Sequence, residues 1–145
     1  MANEIHAKYG TSTAVTVTLA SLADATLVAS TAVTGVTAPQ IRVFCSVKTG
    51  TSPTANSLIS VFMARGDDDG SEIYSGLQDS TLYEDALEFV AAQPVASTSD
   101  KVYHFEFVTD SPGPDFKLVF KNGTGAALFG SGHVVRYRSV TPEVQ

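Results

Sequence analysis

The 145-residue chain has no tryptophan, a single cysteine and little charge, and each shortage excludes something. With Cys45 alone, no intramolecular disulfide can form and no thiolate cluster can hold zinc. It lies in an alternating apolar run, where a free cysteine serves as a small buried hydrophobe. The lack of tryptophan weighs against a sugar-binding module built on stacked pyranose rings, and the five tyrosines (Tyr9, Tyr74, Tyr83, Tyr103 and Tyr137) are scattered. Charged residues make up 17% of the chain, against a usual figure of about 25%. Cations are the scarcer sign, nine to fifteen, for a net charge of −6. That is the opposite of the basic field that displaces counterions from phosphates or holds a protein on an anionic membrane, so neither nucleic acid nor membrane is an expected partner. No apolar run nears the ~20 residues of a membrane span. Met1 is followed by the polar Ala2-Asn3-Glu4, without a basic or an apolar leader region, so no secretory signal is expected and synthesis is expected in a cytoplasm.

What the chain does have is threonine, serine, alanine, glycine and valine in short alternating runs. Branching at Cβ favours a pleated, half-buried surface. Residues 13–20 alternate with Val15, Val17 and Leu19 on one face, which predicts a strand; 26–33 is a weaker candidate. Residues 40–48 turn Ile41, Val43, Cys45 and Val47 one way and Arg42, Phe44, Ser46 and Lys48 the other. Residues 58–64 are apolar on both faces, as in a central strand covered on two sides. Short strands are expected near 72–74 and at 88–92, the latter ended by Pro94; 77–87 has the only helical spacing and reads as irregular or a single turn. Residues 101–109 alternate Tyr103, Phe105 and Phe107 against His104 and Glu106. Phe116, Leu118 and Phe120 line the next strand, and Asn122-Gly123 predicts a tight hairpin returning through 126–129. A last strand, 132–140, sets Val135 and Tyr137 opposite Arg136 and Arg138. The expected architecture is all-β: an antiparallel, jelly-roll-like β-sandwich over residues 14–141, with an N-terminal arm at 1–13 and an extended tail at 142–145.

Chemistry-bearing clusters are few. Asp67, Asp69 and Glu72 could donate oxygens to a cation, but the glycine and glutamate positions of an EF-hand loop are filled by Glu72 and Gln78. An acidic turn between Gly66 and Gly70 explains the run as well. Arg65-Gly66-Asp67 matches an integrin-type tripeptide and Asn122-Gly123-Thr124 a glycosylation acceptor; without a secretion signal both read as chance matches. His6, His104 and His133 lack zinc-site spacing among themselves or with Cys45. Gly130-Ser131-Gly132 lacks the spacing of a hydrolase nucleophile elbow. No catalytic residue, metal or cofactor is therefore assigned, and the chain is read as non-enzymatic. Ile5 and Tyr9, isolated apolar points in the arm, and Arg136 and Arg138, alternating on the last strand, are the candidate contacts with partners.

Several patterns also occur in a familiar order. Gly10-Thr11-Ser12-Thr13-Ala14-Val15-Thr16-Val17-Thr18-Leu19 leads to Ala29-Ser30-Thr31-Ala32-Val33. An apolar strand then meets a glycine-flanked acidic turn and Tyr74-Ser75. Finally, Lys117-Leu118-Val119-Phe120-Lys121-Asn122-Gly123-Thr124-Gly125-Ala126-Ala127-Leu128 precedes His133-Val134-Val135-Arg136-Tyr137. Between Gly10 and Tyr137 the chain resembles small jelly-roll virion proteins of tailed bacteriophages, the cement or decoration proteins of the head. The resemblance implies a homo-oligomer, with a trimer favoured, located in the virion and partnered by the major capsid protein or other virion proteins. The alternative is a receptor- or carbohydrate-binding β-sandwich on a tail, baseplate or fibre.

Overall fold

The computed structural model describes residues 5–66, 73–78, 80–111 and 113–144. Its strands are β1 (Ile5–Tyr9), β2 (Thr13–Ala14), β3 (Thr26–Ala29), β4 (Gln40–Lys48), β5 (Leu58–Arg65), β6 (Leu77–Gln78), β7 (Thr81–Leu82), β8 (Glu88–Pro94), β9 (Val102–Asp110), β10 (Phe116–Gly123) and β11 (Val134–Val144). A single 3-10 turn, Glu84–Ala86, precedes β8. The long pairings are nested: β5 with β8, β4 with β9, β3 with β10, and β1 and β2 with β11, all antiparallel. Two further antiparallel pairings, β11 with β4 and β10 with β5, close this ribbon into two sheets. The first sheet runs β1-β11-β4-β9, with β2 also on β11; the second runs β3-β10-β5-β8. They enclose one core, so the domain is the antiparallel β-sandwich that the alternating runs predict.

The inward faces follow from period-two alternation. Ile41, Val43, Cys45 and Val47 from the first sheet meet Ile59, Val61, Met63, Phe116, Leu118 and Phe120 from the second, all at 1% exposure or less. Each such side chain contributes about 1.5–3 kcal/mol on removal from water. Strand β5 is apolar on both faces because both are covered. Phe62 and Ala64 point away from the main core, into a second cluster with Val119, Tyr74 and Leu87. The described part of the chain between β5 and β8, with Tyr74, Leu77, Leu82 and Leu87, thus lies over the outer face of the second sheet.

Two local expectations need correction. The face of residues 13–20 is right, with Val15 and Leu19 buried, but only Thr13 and Ala14 form a ladder. The segment is crossing between sheets: the Val15 N–H donates to Val135 O, while Thr16 O accepts from Thr31 N–H. A segment whose bonds go to two different sheets cannot extend either one. Asn122-Gly123 is not a hairpin turn; both residues lie within β10, paired with Ile59 and Leu58 of β5. The Asn122 side chain is fully buried, its amide nitrogen donating to Leu22 O and Ala126 O and its oxygen accepting from Thr124 N–H and Oγ1. Positive φ falls instead at Gly125. Residues 77–87, read as irregular or a single turn, hold the two-residue strands β6 and β7 and the 3-10 turn.

The expected arm and the expected tail meet. Ile5 pairs with Val144 and Tyr9 with Val140. The pairing of β11 with β4 ends at Val140 opposite Gln40. Past that point, β1 and the end of β11 continue as a two-stranded ribbon.

Candidate binding face

Residues directly opposite in an antiparallel ladder point to the same side. Register therefore decides what shares the outer face of the first sheet. Arg42, Phe44 and Ser46 of β4 stand level with Val108, Glu106 and His104 of β9, and with Arg138, Arg136 and Val134 of β11. Tyr9 of β1 joins them beside Val140. Unlike the second sheet, this one has no excursion across its outside among the described residues. Among the described residues, ten large apolar side chains are exposed, and six of them project from this face: Ile5, Tyr9, Phe44, Val102, Val108 and Val134.

A cleft of about 340 Å³ opens in the middle of the face, lined by Tyr9, Ser12, Arg42, Phe44, Glu106, Arg136, Tyr137 and Arg138. Arg42 forks onto Glu106, with Nη2 to Oε1 at 2.6 Å and Nε to Oε2 at 3.0 Å. This two-pronged geometry is the strongest form of the arginine–carboxylate pair. Donation by Arg42 holds the Glu106 carboxyl below the usual glutamate range and raises the guanidinium in turn. The Arg42 guanidinium also lies over the Tyr9 ring, 5.5 Å from its centre. Phe44 stacks on His104 with ring centres 6.0 Å apart. Arg136 and Arg138 are exposed, and neither forms an ion pair with any described residue.

Of the residues singled out in sequence, Tyr9, Arg136 and Arg138 come together around this cleft, and Ile5 lies on the same side of β1, two pleats further along. Asp67, Asp69 and Glu72 lie outside the described residues. Among the described residues, no group of three or more His, Cys, Asp and Glu side chains is placed to hold a metal ion. The histidines are distributed over β1, β9 and the loop before β11. His133 pins that loop, its Nδ1 accepting from Lys48 N–H at 3.3 Å and its Nε2 lying 2.7 Å from Phe129 O, which fits the Nε2-protonated tautomer. Cys45 is buried in β4, and burial pushes its thiol up to about 12.

Sequence reasoning missed Arg42, Phe44, Glu106 and Tyr137 as members of one site. The available signal was that Arg42 and Phe44 share the outward face of one run and Glu106 that of another. Making it a site required knowing that β4 lies between β11 and β9. No protein-family model matches the chain, and no curated protein matches it.

Proposed function

We propose that the chain is a non-enzymatic structural component of a tailed-bacteriophage particle, a cement or decoration protein that reinforces the head by protein–protein contact. The observation that carries this reading is the asymmetry of the sandwich. One outer face is covered by Tyr74, Leu77, Leu82 and Leu87 from the chain between β5 and β8, and the other is left open by the described residues, with clustered aromatic, aliphatic and arginine side chains. Aromatic residues and arginine are the types enriched in protein interfaces, and lysine is depleted there.

The dimensions suit the role. Four strands at ~4.8 Å spacing and nine residues at ~3.4 Å give a flat footprint of about 600 Å². Side-chain relief and the projecting ribbon bring this toward the ~800 Å² per partner of a standard interface. The nested pairing, first strand with last and so on inward, supports the finer assignment to a jelly roll, a ribbon rolled into two four-stranded sheets. The partner in this reading is the major capsid protein or another virion protein, and the free subunit assembles as a homo-oligomer, with a trimer favoured.

The test is mass spectrometry of purified particles, together with light scattering of the isolated protein. Particles containing the chain in many copies support the reading, and its absence from them ends it. A fibre-borne carbohydrate-binding module is the second reading, favoured by the aromatic rings of Tyr9 and Phe44 beside Glu106. A glycan array of host polysaccharides with reproducible hits would move the assignment there.

A further inference from the structure

The cleft carries an excess of positive charge. Three of the chain's nine cations line it, with one of its fifteen anions, so it is net positive in a chain whose net charge is −6. Both oxygens of that anion, Glu106, are engaged by Arg42. Arg136 and Arg138 have no such neutralisation among the described residues. Arg138 also stands directly opposite Arg42, an arrangement of like charges that costs stability unless an anion sits between them.

We infer that this cleft binds carboxylate side chains from an extended acidic segment of a protein partner, with Arg136 and Arg138 as the recognition pair. The spacing supports this class of ligand. Arg136 and Arg138 are two residues apart on one strand, so their side chains leave β11 about 6.8 Å apart. An extended peptide with acidic residues at alternate positions repeats its carboxylates at that same interval. Guanidinium groups hold carboxylates in two-pronged geometry, as Arg42 already does with Glu106 in the same cleft. Tyr9 and Phe44 flank the cleft and supply apolar contact beside the arginines. A long polyanion suits the site less well, because its overhanging charges meet a surface that is negative overall. The inference names the chemistry of the docking partner and rests on reading this face as a protein interface.

The test uses the full chain, labelled with ¹⁵N, and a capped heptapeptide with glutamate at three alternate positions separated by threonine. Saturable shifts of the Arg136 and Arg138 side-chain Nε–H signals are expected, with affinity falling as salt rises. The double variant R136Q/R138Q should bind at least tenfold more weakly. Both side chains are exposed, so its amide spectrum should stay folded. R65Q, which removes an exposed arginine paired elsewhere with Glu88, should bind like the parent. The proposal is overturned if millimolar peptide moves no cleft signal, if the double variant binds equally well, or if the glutamine version of the peptide binds as tightly. It is also overturned if a thymidine decamer or a sulfated oligosaccharide occupies the same arginines more tightly than the peptide. Failure here leaves the particle composition untouched, whereas particles lacking the chain would remove the virion reading whatever the peptide does.

Discussion

Arg138 faces Arg42 across the β11–β4 ladder, and only Arg42 has a carboxylate partner. The neighbourhood is held together by the Arg42–Glu106 fork on one side and left short of negative charge on the other. That imbalance sits on the broad face of the sandwich that no described segment of the chain covers.

The fork makes a pH prediction. Because Arg42 holds the folded Glu106 carboxyl below its ordinary 4.5, the folded form takes up its proton later than the unfolded form as acid is added. The stability the pair contributes is therefore present above the ordinary glutamate range and is lost as pH falls through the lowered midpoint. Carbon-detected NMR titration should give a Glu106 midpoint below 4.5 that moves back up in Arg42→Gln. An unchanged midpoint in that variant would rule out the fork in solution.

Cys45 predicts the opposite limb. The unfolded thiol loses its proton near 9.0 while the folded one keeps it to about 12, so across that window the folded state binds more protons and stability falls as pH rises. Urea melts between pH 8 and 10.5 should show a steeper loss for the parent than for Cys45→Ala. A thiol reagent at pH 8 should label Cys45 only on unfolding. Labelling of the native protein at the rate of free cysteine would contradict its burial.

Asn122 is the polar pin of the loop after β10, satisfying two carbonyls and two donors at zero exposure. Asn122→Ala orphans the buried Thr124 N–H, while Leu22 O keeps Leu128 N–H and Ala126 O keeps Thr124 Oγ1, and should cost about 1–3 kcal/mol. The urea midpoint should drop with the slope unchanged. A loss below ~0.5 kcal/mol would mean that water replaces the amide at no cost.

Gly50 lies where the chain turns out of β4, beside the bridge between Thr49 and Leu128. A β carbon there would run into the backbone carbonyl oxygen of Ala127, which cannot rotate aside as a side chain could. Gly50→Ala should destabilise by about 1–3 kcal/mol, by the cost of overpacking. A neutral result would show that the 126–128 segment yields.

The parts of the fold legible in sequence are those where one rule acts alone. β4 and β9 alternate cleanly because one face is core and the other is open, and β5 is apolar throughout because both of its faces are covered. Where two demands compete, local signals mislead. Residues 15–19 keep strand-like alternation, yet their hydrogen bonds divide between sheets. Asn122-Gly123 has the composition of a hairpin turn, but the asparagine is worth more as a buried four-bond hub within a strand. The cleft was half legible. Tyr9, Arg136 and Arg138 stand out by type and spacing, but Arg42 and Glu106 look like solvated charges until the ladder brings β4 and β9 side by side.

The central claim is that the open face of the first sheet docks the protein onto a larger particle. It is tested most directly by a cryo-EM map of the virion proposed to carry this chain. Repeated density for the sandwich on the shell is expected, with Phe44, Val108, Arg136 and Arg138 turned into the contact. A map with no such density, or with that face turned to solvent and the 73–87 side against the shell, would contradict it.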